Sequence, residues 1–323
     1  MAAHQSHCVS ISLRGAGQVF FLGNALAGAL FIAAIAYAAF DSHHWAPAGG
    51  ALLGLIIATG TALGWMRDRS AVRAGLYGFN GILVGVALPT FLAASPWLWA
   101  GVVLGAAAST VAVDLFSALL TRRRGIPGST GPFVAVTWLL LAGALALGGQ
   151  GPVAATPLPA TSAYLAGAAA LPSLAEAVQI FFRNIAQVFL LGSAVSGALV
   201  LLGVALASRR AALAVVAGSL VSMACALALR ANPAAVLQGL WGFSPILTAM
   251  ALGVVYLPPS RRTACYALLG TLTTVLLQTG ADALAARVGL PMLTAPYLLT
   301  LYAFMGLAPY FRLTPPAIRP AEC

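Results

Sequence analysis

Charge is scarce in this chain. Only 7% of its 323 residues are Asp, Glu, Lys or Arg, while 61% are hydrophobic and the mean hydropathy is +0.97. That balance excludes a soluble domain and places the chain in a membrane. Lysine is absent, so all sixteen basic residues are arginine. Histidine occurs only as His4, His7, His43 and His44, in a tail or in a loop between apolar runs. The four cysteines, Cys8, Cys225, Cys265 and Cys323, lack the spacing of a metal site or redox pair. No nucleophile elbow or phosphate loop stands in a plausible setting, so neither an enzyme nor a cofactor or metal site is expected. The N-terminus also lacks the pattern of a cleavable signal, so the first apolar run is expected to direct insertion.

What the chain does have, it has twice. RGAGQVFFLGNALAGAL, from Arg14, returns as RNIAQVFLLGSAVSGAL, from Arg183, with ten of seventeen positions identical. GLYGFNGIL from Gly75 is matched by GLWGFSPIL from Gly239, and IPGSTGP from Ile126 by LPMLTAP from Leu290. Duplicated apolar chains of this kind build channels and transporters, whose solute path lies between the halves. Prolines and glycines number 19 and 34. In a bilayer they mark kinks, interrupted helices and close helix contacts, and Gly50 with Gly54 and Gly101 with Gly105 have helix-packing spacing.

Apolar runs of roughly 17 to 25 residues predict spans at about 24–40, 47–66, 72–93, 97–120 and 131–148 in the first half. The second half predicts about 193–207, 211–229, 234–256, 263–285 and 294–310. Residues 1–13 and 312–323 read as tails, 14–148 and 179–311 as repeats, and 149–178 as a Pro, Ala and Gly-rich linker. Five is odd, so the second repeat is expected to be inverted relative to the first.

Arginine placement agrees. With the N-terminus inside, thirteen arginines fall on the inner side and only Arg183, Arg230 and Arg287 on the outer. Basic residues favour the cytoplasmic side of short loops, so both termini are expected to be cytoplasmic. The net charge of +10 then requires no nucleic-acid partner. Gly15 to Gly23 and Ile180 to Gly192 are apolar but too short to cross alone. Each reads as a re-entrant piece abutting a full span, the alternative being one long tilted helix.

QVFFLGNALAG and QVFLLGSAVSG, each followed by a GLYGFNGILVG or GLWGFSPIL segment and then a PxxTxP element, resemble the paired signatures of the urea transporter family. The likeness runs from about residue 14 to 310. It implies an all-α integral membrane protein of two inverted repeats, each with five transmembrane helices and one re-entrant helix. It also implies a pore through every protomer, a homotrimer, and a bacterial-type inner membrane.

Urea is a planar, neutral solute with four N–H donors and one carbonyl, and stripping its water without replacement costs several kcal/mol. A pore must therefore offer acceptors. Unpaired carbonyls at interrupted helix ends and the side chains of Gln18 and Gln187 are expected to supply them. The resemblance places Phe21, Phe79 and Phe243 as rings flanking the solute, and Leu83 and Leu247 at the narrow middle. Thr130 and Thr294 are expected to donate to the urea carbonyl, or to cap the helices they precede. The pattern breaks at Leu190, which stands where the repeat mate of Phe21 would carry a ring. The expected partners are urea, with its small analogues as secondary candidates, and membrane lipid.

The histidines lie outside the apolar runs, which removes the pair expected of an ammonium channel. Coupling to ions needs ionisable groups inside the bilayer, and only Asp114 and Asp282 qualify. Neither is duplicated. A passive channel is the first reading, and an ion-coupled carrier for a related small amide the alternative.

Overall fold

The structure, a computed structural model, describes residues 2–147, 162, 164–167 and 171–313. The described residues form helices, turns and loops, with no strand among them. In the first half the order is α1 (Ala2–Gly17), α2 (Ala25–Ser42), α3 (Ala46–Trp65), α4 (Arg69–Arg73), α5 (Gly78–Phe91), α6 (Pro96–Phe116), α7 (Arg122–Arg124) and α8 (Gly131–Ala146). In the second it is α9 (Leu174–Ala186), α10 (Ala194–Ala207), α11 (Arg209–Ala228), α12 (Pro233–Leu237), α13 (Phe243–Met250), α14 (Arg261–Val288) and α15 (Ala295–Leu307). Five helical stretches are long and apolar enough to cross a membrane: 25–42, 46–65, 96–124, 209–228 and 261–285. A sixth crossing arises if α9 and α10 count together. The chain is thus a multi-pass membrane protein.

The same local chemistry breaks the chain at matching places. Each of α1 and α9 ends in a single 3-10 turn, Gln18–Phe20 or Gln187–Phe189, followed by a left-handed residue, Phe21 or Leu190, both at φ 58°. Such a conformation is uncommon for a side chain with a Cβ, and it halts the helix. The next helix restarts on a polar cap. Asn24 accepts from Ala27 N–H, and Ser193 from Ser196 N–H. The bend between α9 and α10 is 73°, which rules out one straight helix there. Both short helices begin upstream of their apolar segments, α1 at Ala2 and α9 at Leu174. A capping box sets the second start, with Ser173 and Glu176 each capping the other's backbone N–H.

The halves meet through α2 and α10. Phe20, Phe31 and Phe189 form a buried ring cluster with centroids 5.3 to 6.0 Å apart. Ring pairs of this kind contribute about 0.5 to 1.5 kcal/mol each beyond their burial. Ser196 on α10 donates to the Ala34 carbonyl on α2 at 2.7 Å. The glycine pairs seen in the sequence are used inside the protomer. A Cβ on Gly50 would lie 2.0 Å from the Gly85 carbonyl oxygen, and one on Gly54 2.2 Å from that of Gly81, so α3 and α5 touch backbone to backbone.

Candidate solute site

Gln18 and Gln187 are held in the same way. Gln18 Nε2 donates to the Ala74 carbonyl at 3.0 Å, and Gln187 Nε2 to the Gln238 carbonyl at 2.9 Å. One turn upstream, Arg14 donates to the Arg73 carbonyl at 3.2 Å, and Arg183 to that of Leu237 at 2.9 Å. Each carbonyl pair precedes a left-handed glycine, Gly75 (φ 79°) or Gly239 (φ 76°). A Cβ there would come within 2.4 Å of Gly15 N or 2.5 Å of the Arg183 carbonyl carbon, so both the conformation and the space require glycine. With its nitrogen committed, each amide keeps its oxygen as an acceptor. Among the described residues no hydrogen bond engages Gln18 Oε1 or Gln187 Oε1.

The left-handed turns also release backbone acceptors. Phe21 N–H returns to Gln18 O and Leu22 N–H to Gly17 O, and Leu190 and Leu191 repeat this in the second half. Among the described residues no backbone N–H beyond either turn reaches the carbonyls of Val19, Phe20, Val188 or Phe189. Each interrupted helix therefore offers an amide oxygen followed by main-chain oxygens.

The PxxTxP elements converge. Thr130 and Thr294 hold the N-cap positions of α8 and α15, yet neither side chain makes a capping bond. Their hydroxyls instead bond to each other across the two halves at 2.8 Å. Two hydroxyls sharing one bond leave one O–H free to donate, so the pair presents a donor as well as acceptors. Supporting bonds cross in both directions. Trp138 Nε1 donates to the Pro291 carbonyl at 2.7 Å, and its repeat mate Tyr302 donates to the Gly128 carbonyl at 2.9 Å. Ser129 and the fully buried Tyr297 share a hydroxyl bond of 2.6 Å. Capping of α8 passes to Asn80, whose Oδ1 accepts from Phe133 N–H at 3.1 Å.

Phe79, Leu83, Phe243 and Leu247 are buried in one apolar cluster, on which Phe21 and Leu190 pack from its edge. The two edges differ. Phe21 meets Tyr256 edge to face, with centroids 5.8 Å apart and an interplanar angle of 80°. Leu190 faces a cavity of about 160 Å³, whose walls include Asp41, His44, Thr90 and Ser193. The repeat mate of Tyr256 is Leu92, so at the Leu190 edge leucines stand where both rings of that pair would be.

Of the two acids expected inside the bilayer, Asp114 lines a separate cavity and accepts from Tyr77 OH at 3.1 Å. The side chain of Asp282 lies outside the described residues. Sequence reasoning missed Asn80, Ser129, Tyr256 and Tyr297. Asn80 was accessible in principle, because it breaks the otherwise apolar motif GLYGFNGIL as Ser244 breaks GLWGFSPIL.

Fold and site together define a multi-pass α-helical membrane protein with a polar seam of amides and hydroxyls between duplicated halves. The chain belongs to the urea transporter family, whose model, described as "Urea transporter", matches residues 9–309. It is 28% identical to urea transporter 1 of Capra hircus, Ovis aries and Rattus norvegicus, over 298 residues covering 91% of this chain and 75% of each relative. Membership makes urea its transported solute and sets it among transporters rather than enzymes.

Proposed function

We propose that the chain is a passive urea channel, with the pore inside each protomer. The observation that carries this reading is the matched pair of glutamine amides, each anchored through its nitrogen so that its oxygen remains for the solute. Urea N–H groups exchange water for Gln18 Oε1 and the carbonyls after it. The solute then slides between Phe21, Phe79 and Phe243 and past Leu83 and Leu247. At the centre the free hydroxyl of the Thr130–Thr294 pair donates to its carbonyl, and Gln187 and its carbonyls receive it beyond. Leu190 stands at this second station. Each step replaces one hydrogen bond by another, so the barrier stays low, while an ion at the leucines would lose hydration without compensation.

On this reading the halves are inverted repeats of five spans and one re-entrant helix. The shorter helices α5, α8, α10, α13 and α15 supply the remaining crossings, making ten, with residues 14–148 and 179–311 as the repeats. Both termini are cytoplasmic, in keeping with the thirteen-to-three arginine distribution, in a bacterial-type inner membrane. The protomers assemble as a homotrimer, as in the family pattern. None of the residues proposed to touch the solute is ionisable, which favours passive flow over an ion-coupled carrier.

Stopped-flow urea flux into proteoliposomes of the purified chain, with no ion gradient, tests this directly. Fast flux above that of empty vesicles is expected. Flux that appears only under a proton or sodium gradient would establish the carrier instead.

A further inference from the structure

A second cavity, of about 290 Å³, opens where the end of α3, the short α4 and the last turns of the helix 96–124 meet. Its walls include Trp65, Arg67, Asp68, Tyr77, Asp114 and Arg122. Asp68 is committed to the fold, since its Oδ1 accepts from the N–H groups of Ser70 and Ala71 and caps α4. Asp114 accepts one hydrogen bond, from Tyr77 OH, on Oδ1 only. Among the described residues Arg67, Asp114 and Arg122 form no ion pair. Opposite charges thus line one cavity without being paired, and all three side chains are exposed, so their charged ends remain open to a ligand.

The duplication supplies an internal control. At the offset of 164 that relates Gly75 to Gly239, Arg67 becomes Ala231, Asp114 becomes Gln278 and Arg122 becomes Ala286. The cap survives, with Asn232 accepting from Ala234 and Ala235 as Asp68 does from its own helix. Gln278 Nε2 turns inward to the Leu240 carbonyl at 2.9 Å, and Tyr164 packs with Trp241 in an apolar cluster at that end. The fold therefore needs the cap but not the charges.

We propose that this cavity binds the headgroup of an aminophospholipid, with Arg67 and Arg122 on its phosphate and Asp114 on its ammonium group. Guanidinium forks match phosphate oxygens, and a free Asp114 oxygen matches a primary ammonium. A bare anion would meet Asp114 as a repulsion, and a bare cation would meet two arginines. A choline headgroup has no N–H to give Asp114, and a glycerol headgroup has no positive charge. The lipid source follows from the surroundings. Trp65 is 76% exposed beside the cavity, as interfacial tryptophans are, and Leu115 and Leu119 expose an apolar face on the adjoining helix for acyl chains.

This inference is independent of the urea pathway, and its test does not read flux. The delipidated full chain is titrated with phosphatidylethanolamine, phosphatidylcholine and phosphatidylglycerol of identical acyl chains, and bound lipid is counted by native mass spectrometry. Tighter binding of phosphatidylethanolamine by about tenfold is expected, a preference lost in Asp114→Asn, while the Arg67→Ala, Arg122→Ala double variant weakens binding of all three lipids. Monodispersity and helical circular dichroism confirm that both variants fold, and Asp114→Asn keeps the side-chain shape. Binding blind to the headgroup, a preference that survives Asp114→Asn, or binding undiminished in the arginine double variant overturns the proposal. Soluble phosphoethanolamine competing as well as the lipid would also overturn it, by making this a site for a free solute.

Discussion

Thr130 and Thr294 stand 164 residues apart in sequence, yet their hydroxyl oxygens are 2.8 Å apart. Each occupies a helix N-cap position without capping, so the pair joins the two halves through groups that ordinary local rules would have spent on the backbone.

Replacing either threonine by valine keeps the shape and removes the hydroxyl. Loss of one hydrogen bond predicts a fall in urea flux of about three- to tenfold. Because one hydroxyl orients the other, the double variant should be little worse than either single one. Stopped-flow rates for the three proteins measure this coupling, and simple additivity would argue that the hydroxyls act separately.

Gln18→Ala and Gln187→Ala each remove a proposed solute acceptor and leave a carbonyl, of Ala74 or Gln238, without its side-chain donor. Flux should drop by about tenfold or more in both. Equal rates for wild type and variants, at equal protein incorporation, would remove the amides from the pathway.

Leu190→Phe would restore a ring beside the 160 Å³ cavity. The added side chain narrows that mouth, so methylurea should lose about tenfold in flux relative to urea. Comparing the two solutes in one vesicle preparation reads the ratio directly. An unchanged ratio would place selectivity at the other rings.

Flux should be flat from about pH 5.5 to about pH 8, and Asp114→Asn should leave it unchanged, since no residue proposed to meet urea titrates in that range. Asp68 behaves consistently. The hydrogen bond from the Ser70 hydroxyl, with further help from the Ala71 N–H, holds its carboxyl below 3.8. A depressed carboxyl contributes stability that is present above its unfolded pKa and lost only as pH falls through the folded value. Loss of that cap therefore lies well below the range tested. A steep pH profile would point instead to proton coupling.

Gly75→Ala forces a Cβ into a left-handed position 2.4 Å from Gly15 N, and should cost about 1 to 3 kcal/mol or more. Gly60, where an added Cβ meets nothing within 4 Å, serves as the control. Thermal unfolding in detergent should separate the two variants clearly.

Much of this arrangement was legible in the sequence because duplication repeats its own signals. QVF before a Gly-Asn or Gly-Ser pair marked both helix breaks, and the residue spacing marked each apolar run. The bonds of Gln18 and Gln187 were not legible, because their acceptors lie 56 and 51 residues away on a turn whose shape depends on a left-handed glycine. The threonines looked like caps since the local pattern fits capping equally well, and only the meeting of distant halves gives their hydroxyls a better partner. Asn80 takes over a duty that Thr130 leaves open, at a helix 53 residues away in sequence. Such exchanges are settled by tertiary contact rather than by local propensity.

The ring cluster of Phe20, Phe31 and Phe189 has a further consequence. Together with the Ser196–Ala34 bond and the two crossing bonds of Trp138 and Tyr302, it rivets one half to the other on several sides. For halves fastened in this way to rock against each other, these bonds would have to break, which the proposed channel does not require. On the proposed channel reading, passage would carry the thermal signature of a small molecule diffusing through liquid, and cooling would slow it about as much as it thickens water.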